Sequence, residues 1–445
     1  MLSFCFNPNG TMEERNGWQR VLLAARHFDV TVLCYSKFST DELYQFLQKE
    51  AGDFSRQSLR FVKVKYGLLV GKLLDNELTF YLGHRLWHKQ AFRQAEVLHR
   101  HQPFALSHAV TLCGFREPGY LWKLNVPHVW GPIGGTHNFP RDFLRSIDLR
   151  NRVRESIRSV MNYYQLHWCP RVHSSAKRSR IVIAATTNAK NDLERGFGIR
   201  VLQDLETGID YPVALSHSPR IPGQPLRVLW SGRLRAWKGL PILIHALAGL
   251  KEKISIEVRI LGDGSSLAGW KRLAMQLGVD HLITWIPWPN YRETLSYYEW
   301  ADVFAFTSLR DTSGTGLLEA LAAGTPIVTV DHQGAESIVT DACAIRVSTK
   351  TWDSTVAGFA TGLETLANDE NEWGRLSRGA IERAYDFQWI NREEWMLAMY
   401  NQALQEEPRV VVGPMKKTSS LDHEIDSSVN LSLCDRAAST RTTQT

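Results

Sequence analysis

Only six cysteines occur in the 445 residues, Cys5, Cys34, Cys113, Cys169, Cys343 and Cys434, and they form neither a Cys-x-x-Cys pair nor a metal-ligand cluster. That scarcity excludes a secreted disulfide scaffold and a cysteine-held zinc site, and points to reduced, mostly buried thiols. Uninterrupted apolar runs are also missing. No segment reaches the roughly 18 uncharged apolar residues that a membrane span needs. The N-terminus lacks a basic stretch followed by an apolar secretion core. A cytoplasmic protein is expected. The G-x-G-x-x-G dinucleotide fingerprint is absent as well: "GTMEERNGW" does not fit it and "LGDGSS" at 261–266 fits only in part, which counts against a nicotinamide or flavin enzyme. Nor is there an Asp-x-Asp metal motif.

Net charge is only +6, but it is unevenly spread: residues 1–200 carry 29 Lys/Arg against 16 Asp/Glu, and the remainder 23 against 30. Opposite signs on the two halves suggest two domains with different partners, the alternative being an accident of composition. The length exceeds one ordinary core, so two domains are the economical expectation. With 44% hydrophobic and 22% charged residues the body of the chain is globular in composition. From Pro408 onward Ser, Thr and charged residues dominate, which predicts a disordered tail over 408–445.

Period and punctuation then give the order of elements. "MLSFCF" reads as a strand leaving into the polar loop "NPNGTMEERNGW", "QRVLLAARHF" as a helix and "DVTVLCYS" as a strand. "SLRFVKV", "FALSHAV", "VPHVWGPIGG" and "IVIAATTN" read as further strands, with residues 77–100 mainly helical. A second series opens near residue 226: "LRVLWSG", "ISIEVRILGDG", "LITWIP", "VFAFTS" and "TPIVTVD" as strands, with helices between them. Strands alternating with helices of this length predict parallel sheets covered on both faces, and two series predict two doubly wound α/β domains. Ligands of such sheets sit beyond the carboxyl ends of the strands, so the loops there are the places to look for chemistry.

Four loops stand out. "SGRLRAWKG" (231–239) puts Arg233 and Lys238 between a strand and a helix N-terminus, a setting suited to phosphate, although basic loop residues are often merely solvated. "SLRDTSGTGLLEALAAGTPIV" (308–328) holds Asp311 before a glycine turn, with Gly314, Thr315 and Gly316 opening a helix and Glu319 one turn in. An ionised carboxylate there suits hydroxyl groups; the bland alternative makes Asp311 a turn residue and Glu319 a partner of the helix dipole. Gly17 and Trp18 enter the first helix. His108, in "SHAVTLCGF", lies at an expected strand end, where a histidine is functional or structural.

Together these stretches resemble the GT-B glycosyltransferases of family 4. "NGW", "VTVLCYS", "SHAVTLCGFREPGYLWKLNVPHVWGPIGG", "ETGID", "LWSGRLRAWKG", "LGDG" and the 308–328 stretch follow that family's order over nearly all of residues 1–395. Asp311 stands in place of the first Glu of its Glu-x7-Glu signature. The resemblance implies two Rossmann-like domains facing across a cleft: an acceptor domain over 1–205, a nucleotide-sugar donor domain over 206–385, and a C-terminal helix over 386–407 packing back toward the first domain. It implies a retaining, metal-independent hexosyltransferase that moves sugar from a UDP- or GDP-sugar to a glycan or lipid-linked acceptor in polysaccharide or glycoconjugate synthesis.

On that analogy Arg233 and Lys238 hold the donor diphosphate and Glu319 the ribose. Asp311 and the amides of Gly314, Thr315 and Gly316 position the donor sugar and its phosphate. Gly17 lets the first loop close over the diphosphate, and His108 contacts the sugar near the acceptor oxygen. No resident cofactor, metal or nucleic-acid partner is expected. A nucleotide-sugar epimerase of the same architecture and a non-catalytic nucleotide-sugar-binding partner are the alternatives. Residues 141–180 carry ten Lys/Arg against three acids, interleaved with Phe143, Ile147, Ile157, Val160 and Tyr164. A peripheral approach to an anionic membrane surface is one expectation for them, a solvated or acceptor-binding surface the other.

Overall fold

Short β-branched runs, each followed by a polar loop and a helix, build two parallel sheets. The computed structural model describes residues 1–405 apart from Cys5, Thr11, 52–57, 77–78, Cys113, Pro219 and Pro222. The tail expected to be disordered over 408–445, and the thiols of Cys5, Cys113 and Cys434, therefore lie outside the described residues. Cys34 and Cys343 are buried free thiols and Cys169 is half-buried.

The first sheet has seven strands, β1 (Leu2–Ser3), β2 (Val30–Cys34), β3 (Leu59–Lys63), β4 (Ser107–Thr111), β5 (His128–Ile133), β6 (Ile181–Ala184) and β7 (Leu202–Gln203), in the order β3-β2-β1-β4-β5-β6-β7. The second has six, β8 (Leu226–Ser231), β9 (Ile256–Leu261), β10 (Ile283–Ile286), β11 (Val303–Phe306), β12 (Ile327–Val330) and β13 (Ala344–Val347), in the order β10-β9-β8-β11-β12-β13. The order reverses on either side of β1 and again on either side of β8. A crevice opens beyond the strand ends at each such reversal. The loops carrying Lys238 and Asp311 follow β8 and β11, the two strands that flank the second reversal.

Two expected elements differ. The first helix spans Met12–Ala25, so the loop ends sooner than its polar composition implied. Trp18, Val21 and Leu22 recur at helical spacing and are all buried in the first core, and that burial outweighs the polar run before them. β13 has no counterpart among the strands read from the sequence: "ACAIRV" is short and lacks flanking punctuation, and its strand form comes from parallel pairing with β12.

The end of the described chain returns to the first sheet. Helix Glu393–Leu404 places Met396, Met399 and Tyr400 in the same core as Trp18 and Val32. In the other direction Phe139 and Phe143, which follow β5, are buried in the core of the second sheet. Side chains thus cross between the two halves at two separate places.

Candidate active site

Close approach of two loops builds the site. Gly239 has φ of +65° and begins helix Leu240–Leu250. A Cβ on it would overlap the Thr307 carbonyl, so a larger residue would force the loops after β8 and β11 apart. Thr307 fixes the approach: its Oγ1 donates to the Lys238 carbonyl at 2.8 Å and accepts from Trp230 Nε1 at 2.9 Å. The Leu309 amide donates to the Trp237 carbonyl at 2.9 Å. Held this way, the Lys238 ammonium forms an ion pair with Asp311 Oδ2.

Asp311 also shapes the next helix. Its Oδ1 accepts from the Gly314 amide at 3.1 Å, closing the turn that leads into helix Thr315–Ala323. Burial alone would raise the Asp311 pKa. The Lys238 charge, the Lys238 hydrogen bond and the Gly314 amide outweigh burial and hold the carboxyl below its ordinary value. The helix itself is made of strong helix formers, "TGLLEALAA", between two glycines in the left-handed region, Gly314 at φ +56° and Gly324 at φ +72°.

The structure brings Lys238, Asp311, Gly314, Thr315 and Gly316 together, with Arg233 exposed on the same β8 loop. Glu319 is buried in the first turns of the helix. Thr315 Oγ1 is buried without a hydrogen-bond partner among the described residues, an orphaned donor at a helix N-terminus whose first amides also lack intrahelical partners. The two glycines also have a packing role, which does not bear on the expectation for their amides. A Cβ on Gly314 would overlap Ile338, and one on Gly316 would sit 3.0 Å from Phe304 Cζ. This role lets the helix seat on its own core.

Two further placements differ from expectation. Gly17 lies inside helix Met12–Ala25 and is buried; the glycine of the preceding loop is Gly10, so Gly17 cannot hinge that loop. His108 is the second residue of β4 and fully buried, with Nδ1 2.7 Å from the Tyr400 hydroxyl and Nε2 2.7 Å from the Gly131 carbonyl. A carbonyl only accepts, so Nε2 carries the proton and Nδ1 accepts from Tyr400. Burial pushes the His108 pKa down to about 3, against the pull of the Gly131 carbonyl. With both nitrogens occupied, His108 joins β4, β5 and the C-terminal helix, and it is not available to a sugar.

Two side chains that the sequence did not single out lie close to Asp311. His137, on the loop after β5, is buried and lies 3.1 Å through Nε2 from Thr186 Oγ1. Burial, with His332 and Arg158 adding and Asp311 opposing, lowers its pKa to about 4. Gln333, after β12, has φ of +56° and ψ of −121°, a strained conformation for a residue with a side chain. Its amide pays for that strain: Oε1 accepts from the Asp311 amide at 2.9 Å, and Nε2 donates to the carbonyls of Leu309 and Asn138, both at 3.1 Å. Gln333 therefore ties the Asp311 loop to the loop after β5. A Cβ on Gly134 of that loop would overlap the Thr312 methyl. The rule that ligands sit beyond strand ends flags both 134–138 and 331–334, but neither carries a charge pattern that singles it out. Glu206, from "ETGID", hydrogen-bonds Ser313.

Among the described residues no group of three or more His, Cys, Asp or Glu is arranged to hold a metal ion. No helix among them is long and apolar enough to cross a membrane.

Residues 214–383 match the family model of the glycosyl transferases, group 1. A D-inositol 3-phosphate glycosyltransferase of Corynebacterium efficiens is 30% identical over 200 residues, 43% of this chain and 46% of the relative. An uncharacterized glycosyltransferase of Methanocaldococcus jannaschii is 29% identical over 183 residues, 40% of this chain and 45% of the relative. The chain thus spans about half the length of the curated relatives it matches. Solved structures extend the likeness to the whole fold. Sucrose-phosphate synthase from Thermosynechococcus elongatus aligns with a TM-score of 0.61 at 14% identity, covering 90% of this chain and 98% of that one. The lipopolysaccharide outer core galactosyltransferase WaaB aligns at 0.59 and 13%, covering 89% and 99%. HepE of Anabaena, in complex with UDP and glucose, aligns at 0.54 and 16%, covering 90% and 98%. At these identities the structures establish the GT-B fold.

Proposed function

We infer, for a chain whose residues 214–383 match the model of the group 1 glycosyl transferases and whose fold is GT-B, that it transfers a sugar from a nucleoside-diphosphate donor with retention at the anomeric carbon. The observation that carries this is the Lys238–Asp311 pair at the β8/β11 reversal, beside a helix N-terminus that presents an unpartnered buried hydroxyl. Breaking the bond between the sugar and the diphosphate leaves negative charge on the leaving group. Lys238 and Arg233 supply positive charge on that side, and the first amides of helix Thr315–Ala323 supply donors. Asp311 keeps the Lys238 ammonium in place before the donor arrives, and the donor diphosphate then shares it. Glu319 takes the ribose hydroxyls. The acceptor hydroxyl forms the new bond to the anomeric carbon on the face the diphosphate leaves, and its proton passes to the departing oxygen.

Incubation with UDP- and GDP-sugars in EDTA tests this. Release of nucleoside diphosphate with an α-configured product from an α-configured donor is the expected result, and Glu319→Ala should reduce it at least tenfold. Undiminished release by that variant would contradict the assignment. Interconversion of the donor without acceptor would identify an epimerase, and saturable donor binding without turnover on a panel of acceptors would identify a binding partner.

The acceptor side of the proposal is a membrane surface. Helix Leu149–His167 turns Leu149, Val153, Ile157, Val160, Met161 and Tyr164 outward along one stripe, with Leu149 71% and Val160 68% exposed. Glu155 and Asn162 are buried on its other side. Apolar stripes of this kind, interrupted here by exposed Arg150 and Arg154, suit the boundary between headgroups and acyl chains. Sedimentation with vesicles containing anionic phospholipid should recover the protein. The double variant Ile157→Asp, Val160→Asp should lose at least tenfold in partitioning. Partitioning insensitive to both the variant and the anionic lipid would remove the membrane from the proposal.

A further inference from the structure

Beside the Lys238–Asp311 pair, Arg310 pairs with Glu155, and the guanidinium groups of Arg158 and Arg116 lie within electrostatic reach of the same carboxylate. Arg310 donates through Nη1 to both oxygens of Glu155 at 2.6 Å and lies over the Trp237 ring, 4.4 Å from its centroid. Arg158 donates from Nη2 to the Gly135 carbonyl at 3.3 Å. Arg116 donates to Asn162 Oδ1, while Asn162 Nδ2 donates to the carbonyls of Thr136 at 3.1 Å and His137 at 3.3 Å. Glu155, Arg158 and Asn162 are three and four positions apart, so they share one inward face of helix Leu149–His167.

Charge and hydrogen bonding are both incomplete there. Arg158 Nε is buried and has no partner among the described residues. Burial pushes the Arg158 pKa down to about 9, with Arg310 and Arg116 lowering it further and Glu155 opposing. For Arg116, burial again dominates, with the Tyr81 hydroxyl opposing and Arg310 adding. Three like charges with one counter-ion and a donor left over are unfavourable unless something negative completes them. Planar guanidinium forks suit the oxygens of a phosphoryl group.

We propose that Arg116, Arg158 and Arg310 form a second anion site that receives a phosphoryl group carried by the acceptor. Calling its ligand the acceptor rests on the glycosyl-transfer proposal above; the anion site does not. Arg310 immediately precedes Asp311, and the 134–138 loop touches both sites, accepting from Arg158 at Gly135 and from Gln333 at Asn138, so a phosphoryl group bound here sets its own sugar or lipid beside the donor. The phosphoryl group belongs either to a soluble sugar phosphate or to a lipid-linked phosphate.

Calorimetric titration of the full chain carrying Arg233→Ala and Lys238→Ala with inorganic pyrophosphate reads this site with phosphate binding at the donor loops weakened. One saturable site is expected, weakened at least tenfold by adding Arg158→Gln and retained with Arg158→Lys, whose charge is kept. No saturable binding, or equal binding with and without Arg158→Gln, overturns the proposal. Thermal melts of the same variants separate lost binding from lost folding, and Arg116→Gln gives an independent second removal with the same expected loss. Phosphatidylcholine vesicles with and without a polyprenyl diphosphate then distinguish the sources. Arg158-dependent retention on the diphosphate vesicles identifies a lipid-linked ligand, and Arg158-dependent binding of soluble phosphate alone identifies a sugar phosphate. Both outcomes support the site, and neither depends on whether a nucleotide sugar is the donor.

Discussion

Lys238→Ala is expected to lower sugar transfer by about 10²–10³-fold, the size of effect seen when one preorganised group facing developing negative charge is removed. The same substitution strips Asp311 of its ammonium partner. The pair is only half-buried, with the Lys238 side chain 22% exposed, so leaving Asp311 alone costs less than the about 3–5 kcal/mol of a fully buried pair. The two effects are separable. In the double variant Lys238→Met, Asp311→Asn no charge is left unpaired, so stability in denaturant should recover while transfer stays low. Recovery of activity together with stability would mean that Lys238 acts only by holding the loop. The Asp311 pair also has a pH signature. Its folded-state pKa is depressed, so its stabilisation is complete above the unfolded-state carboxylate pKa and is lost as pH falls through the lower folded value.

A steeper acid response is expected from the buried histidines. Burial lowers His108 and His128 to about 3, and His84 and His137 to about 4. Each is neutral when folded but protonates near pH 6.5 when unfolded. Between those values the unfolded chain binds more protons, so folding stability falls as pH is lowered from about 6.5 toward 4 and is fully present above that window. Each such histidine contributes a slope of about 1.4 kcal/mol per pH unit. Urea melts at half-unit pH intervals should show the combined slope, and His108→Gln should remove about one histidine's share of it. A stability profile flat between pH 6.5 and 4 would contradict the burial and hydrogen bonding described for these rings. Full transfer activity per folded molecule in His108→Gln is expected from the placement of His108 away from the donor loops.

Much of the loop pair after β8 and β11 was legible in the sequence because its determinants are local. An apolar strand, a glycine turn and a helix N-terminus recur in "LWSGRLRAWKG" and in the 308–328 stretch, and alternation of strands with helices puts both loops at the same sheet end. What depends on long-range packing was not legible. His108 is held by Tyr400, 292 residues away, and only the folded C-terminal helix brings that hydroxyl to β4. Gly17 lies in a helix because Trp18 and Val21 find a core, which local polarity does not report. Gly316 resembles a ligand-facing glycine in sequence, which does not report that it also accommodates the Phe304 ring. Arg116, Arg158 and Arg310 are scattered over nearly two hundred positions, and no spacing rule joins them. Gln333 carries no charge and no motif, and its importance shows only in its backbone angles and its bond to Asn138.

Calorimetric titration of UDP and of GDP into the full chain in EDTA, with and without Lys238→Ala, tests the central claim most directly. The account predicts that one of the two nucleotides binds at a single site and that the substitution weakens it at least tenfold. Equal affinity in both proteins, or no binding of either nucleotide by the unaltered chain, would contradict a donor site between the loops that follow β8 and β11.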